Sequence, residues 1–339
     1  MQQEIKALEE NNTWSVVDLP KGMHTVGSKW IYKIKYKADG QVERFKARLV
    51  AKGYSQQEGL DYHDTFSPVA KMVTVKCVIA LAVSKGWPMY QMDVYNAFLQ
   101  GDLEEEIYME MPEGFRKLGE NKVCKLLKSL YGLKQASRQW NLKLSNALVA
   151  AGFSQSGYDY SLFTLKKDAD IVVILVYVDD LLITGSNTKM INEAKENLHK
   201  QFKMKDLGEL RFFLGIEVLR SAEGVILNQR KYVLELISEA GLTGAKPSTT
   251  PIESNLRLTS VEYDQANGYT EDVILQDVTA YQRMVGKLLY ATITRPDISY
   301  AVQVLSQFMH APKRSHWDAA IRVIKYLKRN SWSRNLVKI

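Results

Sequence analysis

At 339 residues, 46% hydrophobic and 24% charged, the chain has the composition of an ordinary folded protein long enough for two or three domains. It has no long Gly/Ser tract, no visible repeat, no apolar N-terminal signal region and no apolar run near the roughly 20 residues a membrane helix needs, so a soluble, intracellular protein with no membrane partner is expected. The formal charge of +7 sits in residues 311–339, which hold eight Lys/Arg and one acid, so any anion-binding surface in the body of the chain must be a local patch.

Residues 29–52 read as a β-hairpin turning at Ala38-Asp39-Gly40. Trp30, Tyr32, Ile34 and Tyr36 share one face of the first strand, and Lys33, Lys35 and Lys37 the other. On the return strand Phe45, Ala47 and Leu49 oppose Arg44, Lys46 and Arg48. The ribbon carries about +6. Such a face is either simply solvated or meets a phosphate partner that relieves repulsion between adjacent cations. Residues 73–85 are apolar with few breaks and predict a buried helix. A strand over 87–94 delivers Asp93. Residues 137–152 predict an amphipathic helix capped by Ser137, with Trp140, Leu144, Ala147, Leu148 and Ala151 as its stripe.

Strands near 161–167 and 171–178 follow, then a helix over 188–202 with Ile191, Ala194, Leu198 and Phe202 inward. Residues 211–219 and 224–228 predict another hairpin. The polar stretch 243–272 is expected as an irregular connector between 1–242 and a mostly helical region, 273–339, whose helices cover 278–294, 297–310 and 315–329. In that last helix Arg322, Lys325 and Arg329 recur at helical spacing, either as a solvated face or as a track along a duplex. Cys77 and Cys124, both among apolar residues, are expected as buried free thiols, with a disulfide or ligand role as the alternative. The pattern as a whole is α+β.

Residues 174–186, ILVYVDDLLITGS, place two adjacent carboxylates between apolar runs. Asp179 and Asp180 can simply make the bend between two strands. Against that, apolar flanks on both faces make the hairpin central, and adjacent acids repel, so burying them calls for a cation or hydrogen bonds. Asp93 again follows a strand. Three carboxylates on neighbouring strand ends make an oxygen-rich cage of the kind that suits Mg²⁺ or Mn²⁺, and two such ions support phosphoryl transfer.

Tyr177-Val178-Asp179-Asp180 resembles the Tyr-x-Asp-Asp box of reverse transcriptases. Six ordered blocks resemble the copia-type (pseudovirus) class of long-terminal-repeat retrotransposons: KWIYKIKYKADGQVERFKARLVAKGYSQQEGLDYHDTFSPVA, QMDVYNAFLQGDLEEEIYMEMPEGF, LLKSLYGLKQASRQW, LVYVDDLLITG, MKDLGELRFFLGIEV and YQRMVGKLLYATITRPDISYAVQVLSQFM. They cover roughly 5–329. The resemblance implies a right-hand polymerase with fingers, an antiparallel palm sheet and thumb, followed by a mostly helical C-terminal region. It implies that Asp93, Asp179 and Asp180 are the catalytic triad holding two metal ions.

In the same reading Lys46 or Arg48 holds the triphosphate, and Phe98, five residues after Asp93, is the aromatic gate against a ribose 2′-hydroxyl, or else core. Tyr131-Gly132-Leu133-Lys134 is similar to the loop supporting template and nucleotide. Phe213-Leu214-Gly215 looks like the primer grip, or a strand with a bulge. The partners implied are an RNA or DNA template with primer and deoxynucleoside triphosphates, in cytoplasmic particles built by the element. The chain departs from the family at Tyr95 and Ser137, and it reads RNSWSRNLVKI where the family continues toward an RNase H. Three functions stay open at this point: an RNA-directed DNA polymerase, a truncated and inactive remnant that at most binds nucleic acid, and another two-metal phosphotransferase.

Overall fold

The computed structural model describes residues 1–36, 41–115, 122–221, 224–329 and 335–338; the turn expected at 38–40 and the segment 330–334 lie outside them. In chain order the elements are α1 (Gln2–Glu10), β1 (Trp14–Asp18), β2 (Ser28–Tyr36), β3 (Val42–Ala51), α2 (Met72–Ser84), β4 (Met89–Val94), α3 (Ala97–Gln100), β5 (Tyr108–Glu110), β6 (Lys122–Leu126), α4 (Ala136–Ala150), β7 (Ser154–Gln155), β8 (Leu162–Lys167), β9 (Asp170–Tyr177), β10 (Asp180–Gly185), α5 (Thr188–Gln201) and β11 (Met204–Glu209). Then come β12 (Phe212–Phe213), β13 (Ile216–Ser221), β14 (Gly224–Asn228), α6 (Arg230–Glu239), α7 (Val261–Asn267), α8 (Val278–Ala291), α9 (Ser299–Ser306), α10 (Arg314–Arg329) and β15 (Asn335–Lys338). The chain divides into two compact units, 1–82 with 87–209, and 83–86 with 210–339. The segment 243–272 lies inside the second unit and carries α7.

The first unit is mixed α/β, with a six-stranded antiparallel sheet in the order β11-β4-β10-β9-β8-β7, a three-stranded sheet β1-β6-β5 and the ribbon β2-β3. Five consecutive residues of β9, Val172 to Val176, are buried, which is why this strand reads as a continuous apolar run rather than an alternation. One face of the large sheet (Met92, Val94, Val172, Ile174, Val176, Leu181, Ile183) packs against the stripes Trp140–Leu144–Leu148 of α4 and Ile191–Ala194–Leu198 of α5. Strand alternation puts Gln91, Asp93, Asp180 and Leu182 on the other face. α5 starts where expected, its first turn capped by the Asn187 side chain, which accepts from Lys189 N and Met190 N.

Three local expectations change. Ser137 lies in the first turn of α4, Gln135 takes the cap position without capping the first turn through its side chain, and the Ser137 carbonyl accepts from Ser67 Oγ. α2 is not buried all round: Val75, Val78, Ile79 and Ala82 are inside, while Val73, Cys77 and Leu81, one stripe four residues apart, are exposed. Cys77 is therefore an exposed thiol and Cys124 a buried one. The hairpin expected over 211–228 is two hairpins, β12–β13 around Leu214-Gly215 and β13–β14.

The ribbon forms with the expected faces. Trp30 stands opposite Leu49, Tyr32 opposite Ala47 and Ile34 opposite Phe45, while Lys33 stands directly opposite Lys46. In the second unit β12-β13-β14-β15 form a sheet, and α6, α8, α9 and α10 share one core around Tyr281, Val285, Leu288, Val302, Val323 and Ile324. Lys313, 1% exposed, ends inside this unit against Thr259, Asp264 and Asp272. Arg314 pairs with Asp318, Arg322 with Glu253, and Lys328 Nζ donates to the carbonyls of Leu242, Thr243 and Ala245. Lys313, Arg322 and Lys328 of the basic C-terminal region thus tie segments of this unit together, while Arg314 and Asp318 pair on the helix surface. Among the described residues no helix is long and apolar enough to cross a membrane.

Candidate active site

The acids sit on a two-residue connection. Tyr177 and Asp180 pair across β9–β10, and Val178 and Asp179 link them. Val178 has φ of 55°, an outlier for a β-branched residue, while Asp179 keeps negative φ. Positive φ at the first central residue alone is the pattern of a II′ hairpin turn, whose twist matches the strands it joins. Two bonds hold the turn. Trp140 Nε1 on α4 donates to the Val178 carbonyl at 2.6 Å, and Val94 N–H donates to the Asp179 carbonyl at 2.8 Å.

The β10–β4 ladder sets Asp180 directly opposite Asp93, and the β4–β11 ladder sets Lys205 opposite Asp93. Asp180, Asp93 and Lys205 therefore form a row across one face of the sheet. Asp93 and Asp180 are half-buried and Asp179 is exposed. Burial raises the pKa of Asp93, the charge of Asp179 adds to this, and Lys205 and Lys46 oppose it. Burial likewise raises that of Asp180, with the charges of Asp179 and Asp93 adding, while Gln91 Nε2, donating at 3.1 Å, works against the rise. Burial favours the neutral acids here, and the repulsion among the three carboxylates is the part that a cation would relieve.

A cleft of about 530 Å³ collects Asp93 and Asp179 with Lys46 and Arg48 of β3, Tyr131, and Lys205. The Arg48 guanidinium lies 4.6 Å over the Tyr131 ring, and its Nε is buried with no partner among the described residues. Glu4 of α1 also lines the cleft, its pKa raised by burial against the pull of Arg48 and Lys46. The Tyr131 loop is tied to the end of β3: Ala51 N–H donates to the Tyr131 carbonyl at 2.7 Å, and Gly132 adopts φ of 93°.

A family model described as reverse transcriptase (RNA-dependent DNA polymerase) matches residues 11–254. The chain belongs to the reverse transcriptase family. It is 47% identical, over 96% of its length, to a retrovirus-related Pol polyprotein from transposon RE1 of Arabidopsis thaliana, and 39% identical, over 97%, to that from transposon TNT 1-94 of Nicotiana tabacum. These are copia-type elements, as the sequence blocks indicated. The chain spans 22% and 25% of those two polyproteins. The structure of a foamy viral protease-reverse transcriptase in complex with RNA/DNA hybrid overlaps 96% of this chain and 36% of that one, at 11% identity and a TM-score of 0.47; a likeness of that extent carries no inference.

Among the site residues expected from the sequence, the structure brings together Asp93, Asp179, Asp180, Lys46, Arg48 and Tyr131. Phe98 is half-buried, set edge-on to Tyr131 with ring centroids 5.3 Å apart, and Tyr95 and Asn96 line the cleft in its neighbourhood. Lys134 does not reach the cleft: its ammonium meets Tyr62 Oη at 3.0 Å and stands 4.6 Å over the same ring. Phe213 is buried within the second unit. Leu214 and Gly215, with φ of 50° and 74°, make the tight turn beside it, and the Leu214 carbonyl accepts from Tyr290 Oη.

Among the described residues no three His, Cys, Asp or Glu side chains gather tightly enough to hold a metal ion by themselves. Reading the sequence missed Lys205, Glu4 and the clamping role of Trp140. Lys205 and Glu4 act through pairing and packing with distant segments, and neither carries a local signal. Trp140 had been assigned only to a helix stripe.

Proposed function

We propose that this chain is the RNA-directed DNA polymerase region of a copia-type retrotransposon, extending a primer 3′-hydroxyl on an RNA or DNA template with deoxynucleoside triphosphates. The observation that carries the reading is the cleft in which Asp93 near the end of β4 and Asp179 in the β9–β10 turn stand with Lys46 and Arg48 of the β2–β3 ribbon. Phosphoryl transfer needs this pairing of positive and negative groups: cations for the triphosphate, and carboxylates for what activates the attacking oxygen. In this reading the six-stranded sheet is the palm, the β2–β3 ribbon belongs to the fingers and the second unit contains the thumb. A cytoplasmic, particle-bound setting comes with the same proposal.

The donor set fits hard divalent cations. Mg²⁺ is commonly held by one or two carboxylates, with water and phosphate oxygens completing its shell, so a closed protein cage is not required. Asp93, Asp180 and Asp179 are the residues that would hold it. Bound there, two Mg²⁺ or Mn²⁺ ions supply activation of the primer hydroxyl and neutralisation of the developing phosphate charge. The chain's own groups do the rest. Lys46 and Arg48 meet the triphosphate, Tyr131 keeps the guanidinium flat and oriented, and Lys205 balances charge beside Asp93. Phe98, behind Tyr131, limits the space at the sugar. The Leu214-Gly215 turn, its Leu214 carbonyl held by Tyr290 Oη, keeps the primer-grip assignment that the family resemblance implies.

The test is primer extension on poly-rA with oligo-dT and Mg²⁺ or Mn²⁺, run beside Asp179→Asn and Asp180→Asn. Extension by the native chain and none by either variant is the expected result. A folded native chain that extends nothing overturns the enzymatic reading and leaves nucleic-acid binding as the function to assay.

A further inference from the structure

Beneath the Tyr131 loop lies a set of buried polar side chains that the chemistry above does not use. Gln56 is 5% exposed, Asp61 4% and Gln135 0%. Gln56 Nε2 donates to Gln135 Oε1 at 3.1 Å, Gln135 Nε2 donates to the Asp61 carbonyl at 2.8 Å, and Gln56 Oε1 accepts from Lys134 N–H at 2.8 Å. Asp61 Oδ2 in turn accepts from Gln57 N–H at 2.8 Å and lies 2.9 Å from His24 Nε2. The set therefore joins the segment just after β3 to the residues just after Tyr131-Gly132.

The same junction is fitted backbone to backbone. A Cβ on Gly53 would stand 2.0 Å from the Gly132 carbonyl oxygen, and one on Gly132 would stand 2.2 Å from that of Ala51. Apolar side chains could hold two segments together as firmly. Paired amides with fixed donors and acceptors also fix the register between them, because any slip leaves a buried polar group unpaired. Here the register matters: Arg48 lies three residues before Ala51, Tyr131 is the residue before Gly132, and the two side chains stack in the cleft.

We propose that Gln56 and Gln135 are positioning residues for the nucleotide, their amide pair setting the depth at which the Arg48 guanidinium and the Tyr131 ring stand in the cleft. The proposal rests on the reading of that cleft as the nucleotide site. Neither glutamine touches the nucleotide; both act through Arg48 and Tyr131.

The experiment is steady-state primer extension by Gln56→Met and Gln135→Met, with nucleotide and primed template varied separately. The expected result is a rise of fivefold or more in KM for the nucleotide, with KM for primed template within twofold of native. Thr184→Val, which removes another buried hydrogen bond of the same unit, Thr184 Oγ1 to the Pro88 carbonyl at 2.7 Å, is the control for general loosening. It should lower the melting temperature without moving the nucleotide KM. Glutamine variants that leave both constants unchanged, or raise both alike, overturn the proposal. If the variants do not fold, or the native chain extends no primer, hydrogen exchange of the native chain decides. Thymidine triphosphate with primed template should slow exchange of the Ala51 and Lys134 amides at least threefold, and unchanged exchange there overturns the proposal. An inactive native chain with that protection refutes polymerisation while leaving the positioning role standing.

Discussion

Replacing Gly132 by Ala adds one methyl group at the point where the Tyr131 loop meets β3. Two costs follow. The residue sits at φ of 93°, where an L side chain is strained, which costs about 1–2 kcal/mol. The new Cβ would lie 2.2 Å from the Ala51 carbonyl oxygen and 2.6 Å from Val50 Cγ1, so backbone must move, and overpacking of this kind costs about 1–3 kcal/mol. Movement also stretches the 2.7 Å bond from Ala51 N–H to the Tyr131 carbonyl, worth about 1 kcal/mol net. The sum is about 3–6 kcal/mol. Gly22 separates the terms, because it has φ of 87° and nothing within 4 Å of an added Cβ, so Gly22→Ala carries the conformational cost alone. Urea denaturation of both variants, followed by tryptophan fluorescence, should show Gly132→Ala destabilised by at least about 2 kcal/mol more than Gly22→Ala. Equal losses would refute the argument that the loop and strand are in backbone contact.

Trp140→Phe keeps the ring in the core and removes the donor to the Val178 carbonyl; it should cost about 1–2 kcal/mol in denaturation, and lower primer extension tenfold or more by releasing the strained turn. Extension at the native rate would show that the clamp is not needed. Iodoacetamide followed by mass spectrometry should label Cys77 in the native protein and Cys124 only after unfolding, because burial pushes the Cys124 thiol up to about 12. For His316, burial and the neighbouring Lys313 charge hold the imidazole below its usual pKa, so the unfolded chain takes up a proton that the folded one refuses. Stability of the second unit should therefore fall as pH drops below about 6.5. Further loss should follow below the usual carboxylate range, where Asp264, held low first by Lys313, and Asp272, held low by Ser315 and Lys313 against its burial, take up protons. Hydrogen exchange of the second unit from about pH 3 to 8 checks both losses. His316→Asn should flatten the part of the slope above the carboxylate range, and a slope unchanged in that variant would exclude His316 as its source.

Where side-chain alternation or helical spacing sets the answer, the fold could be read from the chain. The faces of the β2–β3 ribbon, the inward residues of α5 and the strand that carries Asp93 all follow from periods of two or 3.6. α2 shows the limit. Its sequence is apolar with few breaks, Thr74 and Lys76 among them, so periodicity says little about which stripe faces inward, and the exposed line of Val73, Cys77 and Leu81 is a property of what packs around the helix. Ser137 shows another. Ser is a good cap, but the helix begins at Ala136 with Gln135 in the cap position, its side chain bonded to Gln56 and Asp61.

The carboxylates divide the same way. That Asp179 and Asp180 mark a tight connection could be read from the two apolar runs around them. That the connection places a β-branched residue at positive φ could not, because nothing local asks Val178 to adopt it. The conformation is imposed from outside, by an indole on α4 and an amide at the end of β4 that hold the two carbonyls of the turn. Those bonds come from residues 38 and 85 positions away, so the geometry that sets Asp180 opposite Asp93 is a product of the whole sheet and its covering helix. The same holds for Lys205, which meets Asp93 only because β11 returns to the free edge of β4. Residue types in the chain thus name the chemistry, while the long-range ladders decide which charges stand face to face.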